Sequence, residues 1–135
     1  MALQFSTPVR NAMLDAIESA VGTSAVVRIF TGSVPASTST ANAGTNLVTW
    51  NLGSDWAANA SGGSKTFSGT PISANAVATG TAGYYRLYGS DGTTCHMQGT
   101  VTLTGAGGDM TLDNTSINSG QNVQITAWTL TAPGA

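Results

Sequence analysis

Three long stretches of this chain, residues 29–54, 66–85 and 114–135, contain no charged side chain at neutral pH, and only 7% of all positions are charged. An ordinary soluble domain carries about a quarter. Thr, Ser, Ala, Asn and Gly fill these stretches, punctuated by single Val, Ile, Leu, Tyr or Trp residues. That pattern suits β-structure whose surface is largely contacted by something else. A strand left alone in water normally relies on charge to block edge-to-edge pairing.

The 135 residues read as one domain, 1–135, long enough to bury about two-thirds of the surface its unfolded chain exposes. A single cysteine, Cys95, has no intrachain disulfide partner and reads as a small buried hydrophobe. The formal charge of -2 and the wide separation of Arg10, Arg28, Lys65 and Arg86 along the chain argue against nucleic acid as a partner, because a phosphate-binding surface needs clustered cations. No run approaches the roughly 18 apolar residues of a membrane span, and the start lacks the basic and apolar pattern of a secretory signal. The expectation is a chain that folds in the cytoplasm, without a membrane partner. Its Thr, Ser, Asn and Gly-rich composition nevertheless matches proteins exposed outside cells. A protein assembled inside a cell and destined for the outside, as on a virus particle, reconciles the two.

Helical spacing occurs at the amino end. Thr7 can cap, Pro8 suits the first helical position, Val9, Ala12, Met13, Ala16, Ile17 and Ala20 recur on one face, and Gly22 ends the run. This predicts a helix over 7–21 with a narrow apolar face, opposite Arg10, Asn11, Asp15 and Glu18. The face is expected to pack on the chain's own sheet; the alternative is an arm reaching a neighbouring subunit, with Arg10 and Met13 as contact candidates. Strands are expected at 25–31, 46–52, 65–68, 74–78, 83–89, 94–104, 109–113 and 121–131, with turn signals between nearly all of them. Residues 53–64 read as a surface loop carrying Trp56. The fold class is mainly β, an antiparallel jelly-roll-like sandwich over 24–131 with one short N-terminal helix.

One hairpin can be resolved further. A two-residue loop at Asp91 and Gly92 would put Arg86 on the apolar face with Cys95, Met97, Val101 and Leu103. A three-residue loop, 90–92, instead groups Tyr85 and Leu87 with those residues and leaves Tyr84, Arg86, Tyr88, His96, Gln98 and Thr100 on the other face. The second register buries only apolar groups. It predicts an exposed platform of tyrosines, an arginine and a histidine, residue types suited to a protein interface.

Catalytic signals are sparse. One histidine, one cysteine and one lysine accompany six carboxylates, and no nucleophile-elbow sequence singles out a serine to work with His96. Cys95 and His96 are adjacent, so a strand points them to opposite faces. One His and one Cys cannot build a zinc site, and Asp91, Asp109, Asp113 and Asn114 do not match the spacing of a calcium loop. The glycines at 105, 107 and 108 precede no Lys-Ser or Lys-Thr and so make no phosphate loop. Neither a cofactor nor a metal is expected, and the chain reads as non-enzymatic. Trp50, Trp56 and Trp128 raise glycan stacking as an alternative to core packing, and Trp56, in a loop, either plugs the core or docks on a partner. The uncharged alternating run 121–131 is expected to be central in a sheet or covered by another subunit.

The segments 10–17 (RNAMLDAI), 29–36 (IFTGSVPA), 78–86 (ATGTAGYYR), 110–114 (MTLDN) and 117–123 (INSGQNV) resemble those of small virion proteins of tailed bacteriophages. The β-rich chains of this size that it resembles most are capsid cement, or decoration, proteins. The resemblance implies a jelly-roll-like, oligomeric protein that binds the assembled major-capsid-protein shell, with itself and the major capsid protein as partners and the capsid surface as its location. It supplies no functional residues. Contact candidates from the residues themselves are Arg10, Met13, Trp56, Tyr84, Arg86, Tyr88, His96 and Trp128. The competing expectations are a carbohydrate- or receptor-binding module on the virion, and a tail or neck component.

Overall fold

Each stretch expected as a strand has a counterpart in the computed structural model, which describes residues 3–67 and 73–135. The elements are α1 (Thr7–Val21), β1 (Val26–Thr31), β2 (Asn46–Asn51), β3 (Ser64–Thr66), β4 (Ser73–Asn75), β5 (Gly80–Tyr88), β6 (Cys95–Leu103), β7 (Met110–Leu112), β8 (Ser116–Ile117) and β9 (Asn122–Thr131). The two-residue β8 has no sequence signal. Ser68, the last residue of one expected strand, lies outside the described residues.

The strands form a curled mixed sheet in the order β2-β1-β5-β6-β7-β9-β3, with β4 also on β9 and β8 on β5. The protein is thus mainly β with one short helix, a half-barrel consistent with a β-sandwich. An all-antiparallel sheet was expected, and one pair departs from it: β6 and β7 run parallel, with Val101 opposite Met110 and Leu103 opposite Leu112. Parallel neighbours ordinarily need a crossover of a dozen residues or more. Here the ladder is three pairs long, so residues 104–109 suffice to return the chain. Gly105 and Gly107, at φ 83° and 88°, supply left-handed conformations that a side chain would strain.

The β1–β5 ladder slips register between Phe30 and Thr31, and Gly83 sits at the slip. A Cβ placed on Gly83 would collide with the Gly32 carbonyl oxygen. Gly83→Ala is therefore expected to cost more than the roughly 1–3 kcal/mol of ordinary overpacking, since backbone rather than a side chain must yield. Urea unfolding reads this directly, and an unchanged midpoint would mean that the two strands separate there at no cost.

The main core lies inside the curl and contains Val27, Ile29, Leu47, Trp50, Trp56, Phe67, Tyr85, Leu87, Met110, Ile117, Val123 and Trp128. The helix boundaries match the expectation, although Ser6 rather than Thr7 is the N-cap, its Oγ accepting from Val9 N at 3.5 Å. The buried face is not the expected one. Leu14 and Val21 are buried and Ile17 packs on the core, but Val9 and Met13 remain 44% and 40% exposed, and Ala12, Ala16 and Ala20 face solvent with them.

The cause is what the helix covers. α1 lies against β3 and the end of β9, where backbone groups need hydrogen-bond partners. Arg10 donates twice to the Ala132 carbonyl, at 3.2 and 2.8 Å, and Asn11 Oδ1 accepts from Gly63 N at 2.8 Å. Asp15 Oδ1 accepts from Ala60 N at 2.8 Å and from Lys65 Nζ at 2.8 Å, and Glu18 Oε2 lies 3.0 Å from the same ammonium. With Leu14, Ile17 and Val21 on the inner side, these polar bonds hold the helix so that Val9, Met13 and the alanines point outward.

Candidate functional site

The long hairpin of β5 and β6 keeps the expected parity of faces over most of its length. Leu87 pairs with Met97 on the core side, while Arg86 pairs with Gln98 and Tyr84 with Thr100 on the other. The loop is longer than expected, because Asp91 organises it: its Oδ1 accepts from Thr93 N and Thr94 N, and its Oδ2 from the Thr94 hydroxyl. That bonding, led by the Thr94 hydroxyl, holds the Asp91 carboxyl well below the usual carboxylate range. A register shift between Leu87 and Tyr88 then pairs Tyr88 with Cys95. Cys95 consequently joins the Tyr88 side instead of the core side, and Leu103, also expected inside, is exposed.

The Tyr84–Arg86–Tyr88 platform exists but is not exposed, which corrects the sequence expectation. Residues 33–45 fold back over it as a strap. Arg86 donates through Nη2 to Ser37 O at 3.1 Å and Thr40 O at 2.6 Å, and Gln98 Nε2 donates to Pro35 O at 2.7 Å. The Tyr84 hydroxyl donates to Ala43 O and accepts from Ala43 N. Beneath the strap, Val26, Phe30, Tyr84 and Tyr88 form a second small core, with Phe30 and Tyr84 stacked at 5.2 Å. Burial raises the Tyr84 phenol above its ordinary value. Arg86 keeps only 3% of its surface.

Of the remaining contact candidates, Trp56, Trp128 and Arg10 are also buried within the chain, so a partner of the folded monomer cannot reach them. Trp56 takes the core-plugging role: it stacks on Phe67 at 5.3 Å and donates through Nε1 to the Gly22 carbonyl at 3.0 Å, closing the end of α1. Met13 and His96 are the two candidates that present surface. All three tryptophans are buried, leaving none to stack on a sugar.

The reactive side chains are dispersed. Burial, the largest influence on the Cys95 thiol, raises its pKa and so disfavours a thiolate. The acidic groups weighed for calcium are each used in a separate turn: Asp109 Oδ2 accepts from Thr100 N and Oγ1, and Asp113 Oδ1 from Gln124 N. Among the described residues no three His, Cys, Asp or Glu side chains gather as metal ligands. A cleft of about 560 Å³ beside the second half of α1 is lined by Asp15, Glu18, Ser19, Ser54 and Asn59. Its carboxylates already serve Lys65.

Among the described residues, surfaces open to a partner include the outward stripe of α1, the uncharged strand β9 and one arginine the sequence did not single out. Arg28 sits in the middle of β1, half-buried, donating to Gly92 O at 2.6 Å with its guanidinium carbon 5.0 Å from the Tyr88 ring centre. A lone arginine inside the β-branched run 25–31 was the available signal. Neither family models, nor characterised proteins, nor solved structures match this chain.

Proposed function

We propose that this chain is a non-enzymatic structural protein of a tailed-phage virion, a capsid cement protein of jelly-roll-like kind that binds the assembled major-capsid-protein shell and stabilises it. The observation that carries the reading is the apolar stripe that α1 leaves outward. Polar residues of α1 are used inward on backbone groups and Lys65, while Val9, Met13 and three alanines are held toward solvent. An apolar helix face kept outward by a dedicated set of hydrogen bonds is suited to a partner's groove.

Size supports a lattice as the partner. A 15-residue helix is about 22 Å long, and one face of it covers far less than the roughly 800 Å² per partner of a stable binary interface. Contacts of that kind are weak singly and strong in arrays, where binding only the assembled state stabilises that state. The low charge of the strands allows close approach without desolvating ions. Folding in the host cytoplasm and residence on the capsid surface, as an oligomer, complete the reading. The glycan alternative loses the stacking surface that motivated it.

The test is the copy number of the protein relative to the major capsid protein in purified particles, by quantitative mass spectrometry. A simple lattice ratio is expected; a handful of copies per particle would move the protein to the tail or neck. Met13→Glu, a surface change expected to leave stability within about 0.5 kcal/mol, should weaken attachment to emptied shells at least tenfold. Undiminished occupancy with M13E would remove α1 from the interface.

A further inference from the structure

β1 and β5 place two arginines opposite each other on one face of the sheet, because Arg28 pairs with Arg86 in the antiparallel ladder. Residues so paired point to the same face with Cβ atoms about 5 Å apart, where like charges are destabilising. A chain with four basic residues has placed two of them together. All six carboxylates lie among the described residues, and the ion pairs found there are those of Asp15 and Glu18 with Lys65. The arginine pair is held by neutral acceptors: Gln98 Oε1, Ser37 O and Thr40 O for Arg86, and Gly92 O for Arg28.

These bonds engage Nε and Nη2 of Arg86 and Nη1 of Arg28. Nη1 of Arg86 and both Nε and Nη2 of Arg28 take no part in them. Arg28 is half-buried whereas Arg86 lies under the strap, so approach is from the Arg28 side. We propose that Arg28 and Arg86 form a carboxylate-binding site that takes an Asp or Glu side chain of a partner protein. A carboxylate can accept from the Nε–Nη2 fork of Arg28 and from Nη1 of Arg86, and it offsets the like-charge cost. Asp91, the residue before the Gly92 carbonyl that holds Arg28, adds a negative charge at the rim. That charge opposes a phosphate dianion more than a carboxylate. The site stands apart from the shell-binding reading and needs no particle to test it.

The experiment uses the isotopically labelled whole chain and a tetraglutamate peptide at constant ionic strength, with a tetraglutamine peptide and inorganic phosphate as the other arms. Tetraglutamate is expected to move the Nε–H signals of Arg28 and Arg86 and the Gly92 amide saturably, while the Arg10 Nε–H stays still. Arg28→Gln should weaken binding about tenfold, the loss of one charge-assisted hydrogen bond, with the amide spectrum otherwise that of the folded protein. The wild-type titration decides the matter if R28Q does not fold. Linear shifts shared by all three probes, or an equal response at Arg10, would overturn the site. A saturable response to phosphate alone would overturn the carboxylate assignment.

Discussion

Trp56→Ala is expected to lower the free energy of unfolding by about 3–5 kcal/mol, the range for removing a large aromatic ring from a packed core. The ring is 1% exposed and is the middle of an aromatic cluster, 5.3 Å from Phe67 and 6.5 Å from Trp128. Alanine leaves a void that Phe67 and Trp128 cannot both fill, and it orphans the Gly22 carbonyl that Nε1 satisfies at the C-terminus of α1. For a chain of this length the melting temperature should fall by about 10–20 °C. Trp56→Phe keeps the stack and loses the hydrogen bond, so it should cost clearly less. Far-UV circular dichroism in urea measures both. A W56A loss under about 1 kcal/mol, the size of a surface effect, would return Trp56 to the exposed loop that its sequence context also allowed.

Trp56 illustrates what the sequence could and could not convey. Its loop was legible from the small polar residues around it; whether the ring turned in or out depended on Phe67, Trp128 and Gly22, which no local pattern joins to it. The same holds for α1. Pro8 and Gly22 marked its ends, and apolar periodicity marked a stripe. Which face is buried was decided by unpaired backbone at Gly63, Ala60 and Ala132, a non-local demand that periodicity does not register. In the β5–β6 hairpin, alternation assigned the faces of Leu87, Arg86, Met97 and Gln98, because a slip of two residues preserves parity. Cys95 escaped because a bulge changes parity. The strap over Tyr84, Arg86 and Tyr88 has no period of its own, so a face that is polar by alternation looked exposed. The Arg28–Arg86 pairing became visible only once β1 and β5 were known to be neighbours.

Replacing both carboxylates that hold Lys65, with Asp15→Asn and Glu18→Gln together, is expected to cost about 3 kcal/mol, toward the lower end of what breaking a buried ion pair costs. Lys65 is fully buried, and without the Asp15 and Glu18 charges its ammonium keeps only neutral acceptors, the Ala58 carbonyl at 3.0 Å and the two side-chain amide oxygens. Lys65→Met should cost less, because the two carboxylates it strands keep access to water while the methionine fills the lysine's place. The pH dependence separates the variants further. The hydrogen bond from Lys65, then the Ala60 amide, hold the Asp15 carboxyl below its ordinary value, so its contribution is present above the unfolded carboxyl range and is lost as pH falls through the folded value. Burial alone would lower the Lys65 pKa, but its bonds to Asp15 and Glu18 outweigh burial and raise it. Its contribution is therefore present below the unfolded lysine value, about 10.4, and is lost as pH rises through the folded one. In the double variant burial outweighs the neutral acceptors that remain and the sign reverses: the unfolded chain now holds the lysine proton more tightly, so stability should climb as pH approaches 10. Urea midpoints measured from pH 7 to 10 decide it. A double variant whose stability falls with pH alongside the wild type would mean that water already reaches Lys65, and that α1 is held to β3 by Leu14, Ile17 and Val21 rather than by charge.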